Sequence, residues 1–275
     1  FIFIGGIQRI GSVTEKIVPF MAVLYIIGGI AVLCIRAKYI PETFGLIFKY
    51  AFNSTAIVGG SLGYALKTAI SQGVKRGLFS NEAGMGSAPN AAATAHVSHP
   101  VKQGLIQTLA VFTDTLLICT CTAFIILFSG APLDGSANGV QLTQQALTNE
   151  IGSSGSIFVA VALFFFAFSS ILGNYYYGEA NIRFITHRKW VLHGYRILVG
   201  GMVLFGSLAT LDMVWSLADV TMALMAICNL IAILFLGKYA IRLLNDYRAQ
   251  KKAGIQSPVF KKETMPDIEK DLECW

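Results

Sequence analysis

Charge is what this 275-residue sequence has least of: 21 Lys and Arg with 15 Asp and Glu make up 13% of it, against 55% apolar residues. A soluble domain carries about 25% charged residues, and a surface with half that share does not stay in water. Most soluble classes are thereby excluded. The start at Phe1 has no initiator Met, no charged leader and no small-residue cleavage site, so the sequence reads as beginning inside a longer chain. Catalytic signatures are missing too: there is no HExxH, phosphate loop or nucleophile motif, and no enzyme is expected. The net charge of +6 is no sign of nucleic acid, because the positive residues lie between apolar windows and in the C-terminal tail. Cysteine is scarce and odd in number: Cys34, Cys119, Cys121 and Cys228 fall in apolar windows and Cys274 in the tail. Cys119-Thr120-Cys121 lacks a second pair or nearby His for zinc, so these thiols read as reduced packing residues.

What is present is long apolar runs. Six windows are near the ~20 residues that cross a bilayer: Ile17–Ile35, Thr43–Ala65, Leu105–Phe128, Ile157–Tyr177, Ile197–Leu211 and Met213–Leu236. Asp212 separates the last two with almost no linker. Lys67, Lys75, Arg76 and Lys102 lie between windows two and three, and Arg183, Arg188, Lys189 and Arg196 between four and five. The connection Ser129–Ser156 carries no Lys or Arg. By the positive-inside rule the basic connections and the C-terminus are cytoplasmic; Arg36 and Lys38 dissent. Residues 1–247 read as a transmembrane domain, and 248–275 as a mobile, charged cytoplasmic tail whose basic cluster is within reach of membrane lipid, with topological charge the plainer account of it.

The few polar or helix-breaking residues inside the windows are the candidate sites. Window two runs through Asn53-Ser54-Thr55 into Gly59, Gly60 and Gly63. Glycines there fit either close helix packing or an unwound segment offering backbone groups to a midplane ligand, and the adjacent polar triplet favours the second. In window four, Ser169 and Ser170 lie three and four residues after Phe166. Two hydroxyls and a carbonyl can form part of a hard-cation shell, but such serines also bond back to helix carbonyls; spacing alone leaves both readings open. Asp114 lies about nine residues into window three. It is either a functional carboxylate or a structural hydrogen-bonding group. The string Arg76 to Ala91 (RGLFSNEAGMGSAPNA) is small and polar, and its chemistry does not choose between an inner gate and a plain loop.

RGLFSNEAGMGSAPNAAATA closely resembles the alanine or glycine:cation symporter family, as do VTEKIVPFMAVLY and FAFSSILGNYYYGE. The resemblance covers residues 1 to about 247 and implies a C-terminal portion of such a carrier. It also implies the family's fold: an all-α polytopic membrane protein, similar to LeuT, made of two inverted five-helix repeats. Here that would be six transmembrane helices, the second repeat plus the last helix of the first. The implied activity is sodium-coupled symport of a small neutral amino acid, alanine or glycine, with sodium as coupling ion and no cofactor. It would take place in a bacterial inner membrane. The resemblance turns the Phe166 carbonyl, Ser169 and Ser170 into expected sodium ligands. It places the substrate against Gly59, Gly60 and Gly63 and along Ser170, Leu172 and Asn174. Many relatives have Trp where Asn174 stands, which leaves the exact substrate open. The family's Gly-Thr-Gly-Asn segment is absent, so the N-terminal half of the chain is expected to be required. The alternatives are a proton-coupled carrier titrating at Asp114 and a non-transporting amino-acid receptor.

Overall fold

The computed structural model describes residues 6–52, 62–131, 137 and 139–272, and these are helical almost throughout. Helix α1 spans Gly6–Ile35, α2 Ile40–Phe52, α3 Leu62–Ser80 and α4 Ala88–Ala92. Helix α5 (Pro100–Thr113) continues through a π turn, Asp114–Cys119, into α6 (Thr120–Phe128). Then come α7 (Val140–Ile151), α8 (Ser153–Ile185), α9 (Lys189–Leu208) and α10 (Leu211–Lys252). Among the described residues five segments are long and apolar enough to cross a bilayer: Arg9–Ile35, Pro100–Phe128, Ser153–Ile185, Lys189–Leu208 and Leu211–Lys252. The predicted second window is the one not among them, because it runs across residues 53–61, which lie outside the described residues. The chain is thus a multi-pass helical membrane protein, with five such helices among the described residues.

The chain divides into two compact units, the first made of Phe1–Asn81 with Thr113–Val203 and the second of Glu82–Phe112 with Leu204–Trp275. In the first unit α1, α6, α7 and α8 pack around Val32, Ile125, Ala146, Leu147 and Val159, all nearly inaccessible. Helix α7 is a surprise: it lies in the connection predicted as an outside loop. Its sequence VQLTQQALTNEI carries only a narrow apolar stripe, enough to bury Ala146 and Leu147 but too short to mark a span. Gly155 of α8 sits against the Leu147 carbonyl, so closely that a Cβ there would overlap the α7 backbone. A second cluster joins Ile10 of α1 to Leu172 and Tyr175 of α8, backed by Tyr195 and Val199 of α9.

Of the two charges that dissent from the predicted sidedness, Arg36 has a carboxylate partner. Arg36 Nε donates to Glu150 Oε2 at 2.7 Å, on a Glu150 side chain only 3% exposed. That hydrogen bond holds the Arg36 guanidinium above its already high ordinary pKa. Arg36 is thus paired with a carboxylate from the connection between windows three and four.

Of the RGLFSNEAGMGSAP string, RGLFS closes α3 in the first unit, and the part from Glu82 on forms a tight turn in the second. Glu82, Gly84 and Gly86 all have positive φ (49°, 74° and 93°), and Ser87 Oγ closes the turn by donating to Glu82 Oε2 at 2.7 Å. Asn229 of α10 donates to the Gly84 carbonyl at 3.0 Å. A Cβ on Gly86 would meet Asn229 Cβ at 3.0 Å, in a backbone region that side chains resist. The C-terminal tail also departs from expectation. Helix α10 continues to Lys252, and the following residues fold back on the segment before α5. The Phe260 N–H donates to the Ser98 carbonyl at 2.9 Å, and Lys102 Nζ donates to Ser98 Oγ at 2.5 Å and Ser257 Oγ at 2.8 Å. His99, fully buried, accepts the Val101 N–H at Nδ1 (3.2 Å), so its proton lies on Nε2, facing Asp246 Oδ2 at 3.1 Å. The tail is a strap rather than a loose extension.

Candidate functional site

A cavity of about 580 Å³ lies within the first unit, walled by residues of α1, α3, the π turn, α6, α7 and α8. Its wall is mostly apolar, with Ile126, Val159, Ala162, Leu163 and Phe166, and it carries a few polar groups: Tyr25, Ser80, Asp114, Cys119 and Thr122. An apolar hollow with a few convergent polar groups is the usual form of a small-ligand site.

The π turn sets that polar edge. Its wider winding brings Cys119, five residues on, back to the side of Asp114. Cys119 Sγ lies 3.9 Å from Asp114 Oδ2 and 3.6 Å from Ser80 Oγ. Ser80 Oγ donates to Asp114 Oδ2 at 2.5 Å, and Asn81 of the same turn exchanges bonds with Thr115 at 3.1 and 3.2 Å. The end of α3 is thereby tied to the middle of a membrane span. Among the described residues the Asp114 carboxylate meets hydroxyl and thiol donors and no Lys, Arg or His. Deeper in, Tyr25 OH pairs with Thr122 Oγ1, which also reaches the Ile118 carbonyl at 2.9 Å.

The residues expected for sodium and substrate are distributed as follows. Phe166 lines the cavity. One turn along α8, Ser169 Oγ donates to the Phe166 carbonyl at 3.0 Å and lies 3.5 Å from Met21 Sδ of α1. Ser170 is exposed, and its carbonyl accepts the Asn174 Nδ2 at 2.9 Å. Ser170 and Asn174 share a face, whereas Leu172 points into the cluster with Ile10 and Tyr175 at 2% exposure. The structure therefore does not bring Leu172 together with Ser170 and Asn174. Gly63 is the second residue of α3; Gly59 and Gly60, with Asn53 to Thr55, lie outside the described residues. Asp114 is the predicted residue that comes closest to a built site.

Sequence reasoning missed Tyr25, Ser80 and Thr122, and it set Cys119 aside as packing. The signal available was the hydroxyl-rich run after Asp114 (TDTLLICTCT), which places several short polar side chains inside one span. Ser80 was within the distinctive string, but nothing local linked it to Asp114, 34 residues away.

A family model described as "Sodium:alanine symporter family" matches residues 1–262. The "Probable sodium/glutamine symporter GlnT" of Bacillus subtilis is 50% identical over 274 residues, covering 100% of this chain and 56% of the relative. The "Amino-acid carrier protein AlsT" of the same organism is 50% identical over 275 residues, covering 100% of this chain and 57% of its own length. The "Sodium/alanine symporter AgcS" of Methanococcus maripaludis is 41% identical over 239 residues, covering 86% of this chain and 51% of its own. The chain thus spans about half the length of the curated relatives it matches. The family match runs along nearly the whole chain and gives no support to reading it as a C-terminal portion. No solved structure matches.

Proposed function

The chain belongs to the sodium:alanine symporter family, a family of transporters and not of enzymes, and from that premise we propose that it works as a sodium-coupled carrier of a small neutral amino acid. Alanine or glycine enters with sodium, and the fold is a LeuT-like inverted repeat working by alternating access. The carrier sits in a bacterial cytoplasmic membrane with its C-terminus inside. The observation that carries the proposal is the family match over residues 1–262. The 580 Å³ cavity supports it, because an amino acid needs an apolar hollow with a few polar anchors. The Phe166 carbonyl and the Ser169 and Ser170 hydroxyls are the proposed sodium ligands; the substrate lies beyond them toward Asn174 and the glycines at 59, 60 and 63.

The test is uptake into proteoliposomes of the full-length carrier at fixed pH, with and without an inward sodium gradient. Alanine, glycine and glutamine serve in turn as labelled substrate, since relatives are named for both alanine and glutamine. Uptake that requires sodium supports the proposal. A second reading, proton coupling, is favoured by the lack of a cationic partner for Asp114 among the described residues. Uptake indifferent to sodium and driven by a pH gradient would replace the first reading with the second.

A further inference from the structure

Helix α8 ends at Ile185 and α9 begins at Lys189, so two membrane-crossing helices meet at a three-residue turn. A hollow of about 290 Å³ opens at that turn, and Arg183, His187, Arg188, Lys189 and His193 all line it. Arg183 is answered by Glu179 at 2.6 Å. Among the described residues no carboxylate pairs with Arg188 or Lys189. Within the turn the Arg188 N–H donates to Thr186 Oγ1 at 3.3 Å, and His193 Nδ1 meets the Lys189 carbonyl at 2.7 Å. What remains at the hollow is cationic head groups with nothing negative between them.

Topological charge alone explains why basic residues occur in such a turn, but it does not require them to converge on one cavity. Like charges held together repel, and an anion seated among them relieves that cost. The surroundings favour one source of anion. Phe184, Ile185 and Trp190 flank the turn at 91%, 81% and 70% exposure, so an apolar surface adjoins the cationic hollow where the spans leave the bilayer. A free anion has no use for that surface, whereas a phospholipid's acyl chains do.

We propose that the α8–α9 turn is a binding site for the phosphate of an anionic phospholipid, held by Arg188 and Lys189 with its acyl chains along Phe184, Ile185 and Trp190. The guanidinium offers a fork to two phosphate oxygens and the lysine a point charge. The site is separate from the amino-acid cavity, and the inference does not depend on which ion drives transport.

The test is native mass spectrometry of the full-length carrier released from nanodiscs of phosphatidylglycerol and phosphatidylcholine in equal parts. The wild type is expected to retain phosphatidylglycerol in preference. Removing a near-surface cation weakens anionic-lipid binding about fivefold, so Arg188→Ala with Lys189→Ala should lower retention roughly thirtyfold. The charge-preserving Arg188→Lys with Lys189→Arg should keep most of it, which separates loss of the site from loss of the fold. Lys261→Ala with Lys262→Ala, removing equal charge from the tail, should change little. Equal retention of both lipids, or the same loss from the tail variant, would overturn the proposal. Displacement of the lipid by millimolar inorganic phosphate would also overturn it, by making free phosphate the ligand.

Discussion

The two units use the same scarcity of charge in opposite ways. In the first, polar groups lie inside the spans beside a cavity: Ser80 on Asp114, Tyr25 on Thr122 and Ser169 on the Phe166 carbonyl. These are mostly neutral donors on oxygen acceptors. In the second, the polar groups gather around one turn and a strap, where His99, Asp246, Lys102, Ser98 and Ser257 satisfy one another. Polar groups that complete each other's bonds make an anchor; polar groups left partly open make a site. With the proposed site in the first unit, the difference predicts that damage to each will be read by a different assay.

The largest effect should come from the first unit's packing. Gly155→Val drives side-chain atoms into the Leu147 carbonyl, against backbone that has no flexible end to yield. About 3 kcal/mol of destabilisation is expected, seen as loss of monodisperse carrier in size-exclusion chromatography. A normal profile would mean that α7 is not held as described. Next is Asp114→Asn, which keeps the shape but loses the charge that Ser80 donates to. Hydrogen bonds to charged groups are worth about 1.5–3 kcal/mol, so uptake should fall at least about tenfold, in parallel at pH 6 and pH 8, with the fold intact. A fall confined to one pH would shift the comparison toward proton coupling.

Much of this contrast was legible in the residues, and the part that was not has a common cause. Asp114 announced itself, because a carboxylate within an apolar run is costly wherever it sits. The apolar windows were visible for the same reason: they depend on local composition. The place of Cys119 beside Asp114 was not legible because it comes from a π turn, whose extra residue no spacing rule anticipates. Ser80 and Tyr25 needed partners 34 and 97 residues away. Arg36 needed Glu150, 114 residues on, for its partner. The tail looked loose because its composition is charged, yet Phe260, Pro258 and Met265 bury themselves. Local chemistry is readable along a chain, whereas pairing across it is not.

His99→Ala tests the second unit. It removes a fully buried ring that stacks edge-on against Tyr247 and Phe260, at centroid distances of 5.1 and 5.7 Å, and leaves Asp246 short of a partner. About 2 kcal/mol of stability should be lost, read as a lower thermal midpoint, while sodium dependence of the surviving carrier is unchanged. A changed sodium response would erase the division between anchor and site. Ser169→Ala probes the first unit. Losing one neutral hydroxyl ligand costs about 1 kcal/mol, so the sodium concentration for half-maximal uptake should rise about fivefold with maximal uptake preserved. No shift would remove Ser169 from the proposed ion shell.

The smallest effect belongs to the exposed end of the strap, where Arg242 Nη1 donates to both carboxylate oxygens of Asp267 at 2.9 and 2.7 Å. That guanidinium holds the Asp267 carboxyl below its ordinary range. A depressed carboxylate contributes stability above its unfolded value, about 3.9, and loses it only as pH falls through the still lower folded value. Between pH 5 and 8 the pair should therefore be indifferent to pH. Both partners are solvent-exposed, and exposed pairs are screened by salt. Asp267→Asn should speed proteolysis of the strap by less than about twofold, and 0.5 M NaCl should erase even that. A large effect would mean that the strap hangs on its surface ion pair. A negligible one would put its hold where the buried contacts of His99 and Phe260 already suggest.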